Sequence, residues 1–163
     1  ILSGLVGSEM CIRDRLHSEW RARQLCELAS MVDVTVSQET PDDNSWLVRM
    51  EGPALLPVAQ EWTKGAVKTV PAQWRLSDRA LQVWALVACV LDESGMCFGL
   101  DAHIAQHEEL RKRAAEALQK LGAASSYVGP RAGGPALRVV GQRRLANVMT
   151  IVGEPPEDGS WDA

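Results

Sequence analysis

The chain has 163 residues, 46% of them apolar and 23% charged, which is the composition of an ordinary globular domain and excludes a disordered or fibrous chain. Its net charge of −4 comes from 17 basic against 21 acidic side chains, but Glu154, Glu157, Asp158 and Asp162 lie in a tail without Lys or Arg, so the body up to Gly153 is neutral. That falls short of the strongly basic balance of a dedicated nucleic-acid binder, and the longest apolar run, the nine residues from Val83 to Leu91, is too short for a bilayer span of about 20.

Residues 1 to 15 contain Gly7-Ser8-Glu9-Met10-Cys11-Ile12-Arg13-Asp14-Arg15, which resembles translated sequencing-adapter read-through, and they are set aside from fold reasoning as a non-native segment. Apolar spacing predicts a helix over 18–30 with Trp20, Leu25, Leu28 and Ala29 inward. Alternation predicts strands at 32–36 and 46–50, a hairpin around Pro41-Asp42-Asp43-Asn44. Gly52-Pro53 breaks it, and 54–62 is a short helix with Pro57 tolerated near its first turn. After a connector, Ser77 caps a helix over 78–91, nearly all apolar from Ala80. A short strand or hairpin at 96–104 and a helix at 106–121 follow, the latter with Leu110, Ala114, Ala117, Leu118 and Leu121 inward and Gly122 as its stop. Strands at 125–128 and 136–140 flank a Gly/Pro-rich turn, a helix spans 142–152, and the acidic tail 154–163 is expected to be disordered.

The chain also repeats itself. At an offset of 90, His17, Glu19, Arg21, Arg23 and Leu28 recur as His107, Glu109, Arg111, Arg113 and Leu118, five identities where about one is expected by chance. The apolar stripe Leu55, Val58, Ala59 and Trp62 recurs as Leu145, Val148, Met149 and Val152, and Val48-Arg49 recurs as Leu137-Arg138 at an offset of 89. The expected fold is therefore α+β: duplicated α-β-β-α units with antiparallel sheets. The first repeat would occupy 16–66, a connector 67–76, the second repeat 77–153 and the tail 154–163.

Asp92 and Glu93 fall at the expected end of the buried helix, where the macrodipole disfavours acids by roughly 0.3–1 kcal/mol each. Two acids placed against the dipole suggest a Mg²⁺ site; two solvated residues beyond the helix end are the competing reading. On that helix Leu81, Ala85, Ala88 and Asp92 share a face whose small residues permit close helix contact.

Val87-Ala88-Cys89-Val90-Leu91-Asp92-Glu93-Ser94-Gly95 resembles the signature of LAGLIDADG homing endonucleases, and Gly65-Ala66-Val67-Lys68-Thr69-Val70-Pro71 followed by Leu76-Ser77 resembles the connector and helix entry before the second signature of two-repeat members. The resemblance implies a saddle of two antiparallel sheets in the DNA major groove, with signature helices packed at a pseudo-twofold axis and each delivering an acid to divalent metal ions that activate water. It implies a monomer bound to double-stranded DNA, with Asp92 and Glu93 as catalytic and metal-binding acids beside Lys68. Ser94 stands where the family carries its metal-binding acid, so Asp92 or Glu93 would have to substitute, and cleavage by this chain is expected to be weak or absent.

Arg49 and Arg138 are the leading DNA-facing residues, supported by Thr35, Ser37, Ser125, Tyr127 and Arg131, side chains able to reach phosphates or base edges from a sheet in the groove; solvated strands are the alternative. Zinc on His103, His107, Cys89 and Cys97 is disfavoured. Arg111 and Arg113 read as a solvated helix face, and the tryptophans as core. Cys26 and Cys89 read as core thiols and Cys11, Cys26, Cys89 and Cys97 show no CxxC spacing, so a reduced, intracellular setting is expected. Two other readings stay open: a non-catalytic DNA- or RNA-binding module such as a maturase or regulator, and a globular domain without a nucleic-acid role.

Overall fold

The computed structural model describes residues 11–16, 18–40 and 45–162. The chain forms two compact units, Leu2–Glu61 and Trp62–Ala163, each α+β with an antiparallel sheet.

The first unit runs β1 (Cys11–Leu16), α1 (Glu19–Ala29), β2 (Thr35–Glu39), β3 (Trp46–Glu51) and α2 (Leu55–Trp62). β3 is central, with β1 and β2 on either side. Val48 and Met50 alternate into the core beneath α1, whose Ala22, Leu25 and Ala29 are buried. Trp20 and Leu28 are only half-buried. Buried Arg21, unforeseen in the sequence, lies with its guanidinium 5.4 Å from the Trp20 ring centroid.

One strand was not anticipated and one is shifted. Cys11–Leu16, all but its last residue within the segment set aside from fold reasoning, pairs with β3 along its full length. The strand placed at 32–36 starts instead at Thr35. The end of α1 and a tight turn closed by Val34 N–H on the Val32 carbonyl at 2.8 Å use up the intervening residues, leaving Met31 and Val32 exposed. The turn at 41–44 lies outside the described residues.

The second unit opens with a two-residue ladder, β4 (Thr63–Lys64) with β5 (Val67–Lys68). It continues α3 (Asp78–Ala88), β6 (Cys89–Asp92), β7 (Gly95–Gly99), α4 (Ala102–Gln106), α5 (Glu108–Lys120), β8 (Ser125–Val128), β9 (Ala136–Val139) and α6 (Gln142–Val152). The sheet order is β6-β7-β9-β8. Met96, Phe98, Leu137 and Val139 form the buried face with Leu81, Trp84 and Ala85 of α3, Ala114, Ala117 and Leu118 of α5, and Val148 of α6. An aromatic series joins the connector to this core: Trp62 to Trp74 at 4.8 Å, Trp74 to Trp84 at 6.0 Å and Trp84 to Phe98 at 5.3 Å. Within each unit the order strand, helix, hairpin, helix recurs, and the second strand of the hairpin pairs with the strand preceding the helix.

The helix expected over 78–91 starts as predicted, with Ser77 Oγ accepting from Ala80 N–H at 3.2 Å, but ends at Ala88. Cys89 takes extended φ/ψ of −109°/141°, because Cys89, Val90 and Leu91 pair with β7 and a two-residue turn at Glu93-Ser94 closes the hairpin. Gly95 is required there: its φ is +125°, and a Cβ would lie 2.9 Å from Val140 Cγ1 and press onto the Val139 carbonyl. Cys89 thus lies in a strand rather than a helix, and Asp92 leaves the face it was assigned with Leu81, Ala85 and Ala88.

Ile104 is helical, not strand, and His103 lies within α4 rather than before the helix, since Asp101 caps this extra turn. The tail is docked, contrary to the expected disorder. Trp161 is 3% exposed, its carbonyl accepts from Leu91 N–H on the edge of β6 at 2.9 Å, and its indole N–H donates to the Gly153 carbonyl at 3.3 Å. One large aromatic and one edge-strand donor suffice to hold a segment that its charge alone marked as solvated. Among the described residues no helix is long and apolar enough to cross a membrane.

Candidate nucleic-acid interface

Each sheet turns one face to its buried core, and strand register decides which side chains stand on the other. In the second unit Val90, Cys97, Arg138 and Ser126 form one row across all four strands. Ser126 is exposed and the other three are half-buried. Arg138 Nε donates to Cys97 Sγ at 3.4 Å. Register places Asp92, two residues on from Val90, on the same face. At the far end the row Gly99, Ala136 and Val128 is small, and Ala136 and Val128 are buried.

In the first unit Arg49 stands opposite Ser37 on β2, with Thr35 and Glu51 one step along the same face. Thr35 and Ser37 are exposed, and Arg49 Nε lies 3.4 Å from Glu51 Oε1. Arg49, Thr35 and Ser37 therefore share one face of the sheet.

Ser125 and Tyr127 do not join Arg138. Register pairs Ser125 with Val139 and Tyr127 with Leu137, the buried rows. Tyr127 stacks under Arg111 of α5 with the guanidinium 4.5 Å from its ring centroid, and the Ser125 hydroxyl is buried without a hydrogen-bond partner. Strand period 2 makes a one-residue error a change of face. The offset of 89 that links Arg49 to Arg138 also links Ser37 to Ser126, a signal that identifies the correct serine.

Lys68 is likewise removed from the site. Its ammonium is 2.8 Å from Asp101 Oδ2, both side chains 23% exposed, while Asp101 Oδ1 accepts from His103 N–H at 2.9 Å. Burial pushes the Asp101 carboxyl up, but the Lys68 bond and the α4 N–H groups outweigh it and hold the carboxyl below its ordinary value. Arg111 and Arg113, expected on a solvated face, are half-buried ties: Arg111 donates to the Ala105 carbonyl, and Arg113 to the Val70 carbonyl at 2.9 Å and to Glu109 at 2.8 Å.

Asp92 and Glu93 belong to the β6–β7 turn, not to a helix end, so no macrodipole opposes them. Asp92 Oδ1 accepts from Ser94 N–H at 2.7 Å and from the Ser94 hydroxyl, and these bonds, aided by the Arg138 charge, hold the carboxyl below its ordinary value. An acid that closes its own turn in this way is half-committed. Among the described residues no three His, Cys, Asp or Glu side chains are grouped to hold a metal ion. The zinc grouping also disperses: His103 and His107 stack at 4.3 Å with His107 Nδ1 2.8 Å from the His103 carbonyl, whereas Cys89 is a core residue and Cys97 faces Arg138.

Two basic residues escaped the sequence reading. Arg143 and Arg144, in the first turn of α6, line an open cleft of about 530 Å³ with Gly122, Val140, Gly141, Gln142 and Asn147. That turn carries no acid and Gly141 supplies no side-chain cap, so its unmet N–H groups and both guanidinia favour anions. Arg131 is exposed on the 3-10 turn Pro130–Ala132. Comparison of the chain with protein-family models, curated proteins and solved structures finds no match.

Proposed function

We propose that this chain binds duplex DNA through the open faces of its sheets, as a protein of the LAGLIDADG homing endonuclease type, and does so without cleaving. The observation that carries the reading is the matched placement of Arg49 and Arg138, each on the central ladder of an antiparallel sheet, on the face opposite its buried rows, across from a serine. The helix–hairpin–helix–hairpin–helix order from Asp78 to Val152 and its partial echo before Trp62 agree with that resemblance. In this reading the units are copies of one fold in a pseudo-twofold monomer, and the thiols of Cys26, Cys89 and Cys97, none in a disulfide, suit a reduced intracellular setting.

The commitment of Asp92 to its turn favours the non-catalytic member of the pair of readings, a maturase-like or regulatory module. Mg²⁺-dependent hydrolysis is assigned only to a parent chain with an acid at the position of Ser94. Fluorescence anisotropy with a labelled duplex tests the binding. Affinity should fall linearly with log salt at about −0.9 per phosphate contacted between about 50 and about 200 mM. Mg²⁺ should produce no nicking of supercoiled plasmid. Binding without a salt slope, or none, leaves the third reading, a globular domain without nucleic acid; Mg²⁺-dependent nicking would reinstate the endonuclease.

A further inference from the structure

Resting on the DNA-binding reading above, we propose that segment 154–163 is a built-in competitor of that binding: pinned by Trp161 along the edge of β6, it holds its acids beside the face that carries Arg138 and weakens the attraction of this unit for a polyanion. The segment is fixed by its own bonds. Trp161 is 3% exposed, its carbonyl accepts from Leu91 N–H at 2.9 Å, and its indole N–H donates to the Gly153 carbonyl at 3.3 Å. Gly159 N–H donates to the Pro156 carbonyl at 2.8 Å, and Asp162 N–H donates to the Ser160 hydroxyl at 3.0 Å. Glu154, Glu157, Asp158 and Asp162 are all exposed, and no Lys or Arg stands among them.

Position makes these charges count. Leu91 lies between Val90 and Asp92, both on the face of Arg138, and Val90 begins the row that runs through Cys97 and Arg138 to Ser126. A backbone bonded to Leu91 is therefore three strand spacings from β9, about 14 Å. The Debye length is about 10 Å at about 0.1 M salt and about 30 Å at about 0.01 M, so the acids repel an approaching phosphate chain strongly at low salt and weakly at high salt. Sealing an edge strand accounts for Trp161 and its carbonyl but not for the sign of the charge, since lysines seal an edge as well as acids do. The body up to Gly153 is neutral, with 17 basic and 17 acidic side chains. The segment alone turns the chain acidic, and docking it beside the sheet removes positive potential where phosphate contacts need it.

The test is the affinity of the full chain for one labelled duplex, by anisotropy at about 20 and about 200 mM salt, in wild type and three variants. Glu154→Gln/Glu157→Gln/Asp158→Asn/Asp162→Asn keeps the strap and removes its charge, Trp161→Ala keeps the charge and releases the strap, and Trp161→Phe keeps an aromatic anchor. Each is checked for folding by circular dichroism and for the strap by hydrogen exchange at Leu91 N–H. The neutralised variant should bind at least about threefold more tightly than wild type at about 20 mM salt and within about 1.5-fold of it at about 200 mM. Trp161→Ala should also bind more tightly at low salt, although its net charge is unchanged, with faster exchange at Leu91, and Trp161→Phe should stay near wild type. Wild-type affinity in the neutralised variant at both salts would overturn the proposal while leaving DNA binding in place. So would a Trp161→Ala variant that exposes Leu91 yet binds as wild type does, because net charge rather than the docked strap would then set the affinity. Absence of salt-dependent binding in wild type and in all three variants would overturn both.

Discussion

The ion pair between Lys68 and Asp101 separates two roles for the connector lysine. Exposed pairs such as Lys112–Glu108, at 68% and 70% exposure, are screened by solvent and contribute little. Lys68 and Asp101 are each 23% exposed and 2.8 Å apart, and a charge-assisted bond so shielded is worth about 1–2 kcal/mol. Lys68→Met should therefore cost about 1–2 kcal/mol. Asp101→Ser keeps an oxygen to cap α4 and should cost a similar amount, and the double variant should cost no more than about 2 kcal/mol, a coupling of about 1 kcal/mol. Urea unfolding followed by tryptophan fluorescence reads this unit, where Trp62, Trp74 and Trp84 lie together; each kcal/mol corresponds to about 2–4 °C in Tm at this size. The pH dependence has a fixed sign. Because the folded carboxyl of Asp101 is held low, the contribution is present above its unfolded value of about 3.9 and is lost as pH falls through the lower folded value. Costs that simply add, with coupling below about 0.3 kcal/mol, would refute a stabilising role for the pair. A Lys68→Met variant of unchanged stability whose DNA-binding slope loses about one phosphate would return Lys68 to the scissile strand.

Gly95→Ala should destabilise by at least about 2 kcal/mol, since the new methyl meets the β9 backbone at a positive φ; a melting temperature within about 2 °C of wild type, the size of a roughly 0.5–1 kcal/mol change, would show that the turn can reopen. Ser125→Ala removes a buried hydroxyl without a partner and should be neutral or stabilising by up to about 1 kcal/mol, with DNA affinity unchanged. A fall in affinity would put Ser125 back in the interface. Deleting residues 154–163 uncovers the Leu91 N–H on the edge of β6, so hydrogen exchange there should accelerate and the chain should aggregate more readily; unaltered exchange at Leu91 would mean that the tail does not protect it.

What the sequence disclosed depended on whether a residue carried its own periodicity. α6 and β8 lie where their spacing placed them, because a complete amphipathic stripe closed by Gly153 and a short run bounded by Gly129 have one interpretation each. The run from Val83 to Leu91 has no polar residue to set a period, so helix and strand were indistinguishable along it. The turn Asp92-Glu93-Ser94-Gly95 held the missing signal, Asp at the first position and Gly at the fourth. The site was half legible for a related reason. Arg49 and Arg138 declared themselves through a shared offset, whereas the face of Ser125 or Tyr127 depends on a register fixed by Val139 and Leu137 on another strand. The roles of Lys68, Arg111 and Trp161 rest on partners 33, 6 and 8 residues away that no local pattern names.

Charge reversal on the open faces tests the central claim most directly. Anisotropy titrations of one labelled duplex with wild type, with Arg49→Glu/Arg138→Glu and with Lys112→Glu/Lys120→Glu on the exposed face of α5 compare the two surfaces at equal change in net charge. The first double variant should abolish measurable binding at about 100 mM salt while the second remains within about threefold of wild type. Equal losses in both, or a loss confined to the α5 variant, would contradict the assignment of the sheet faces as the nucleic-acid surface.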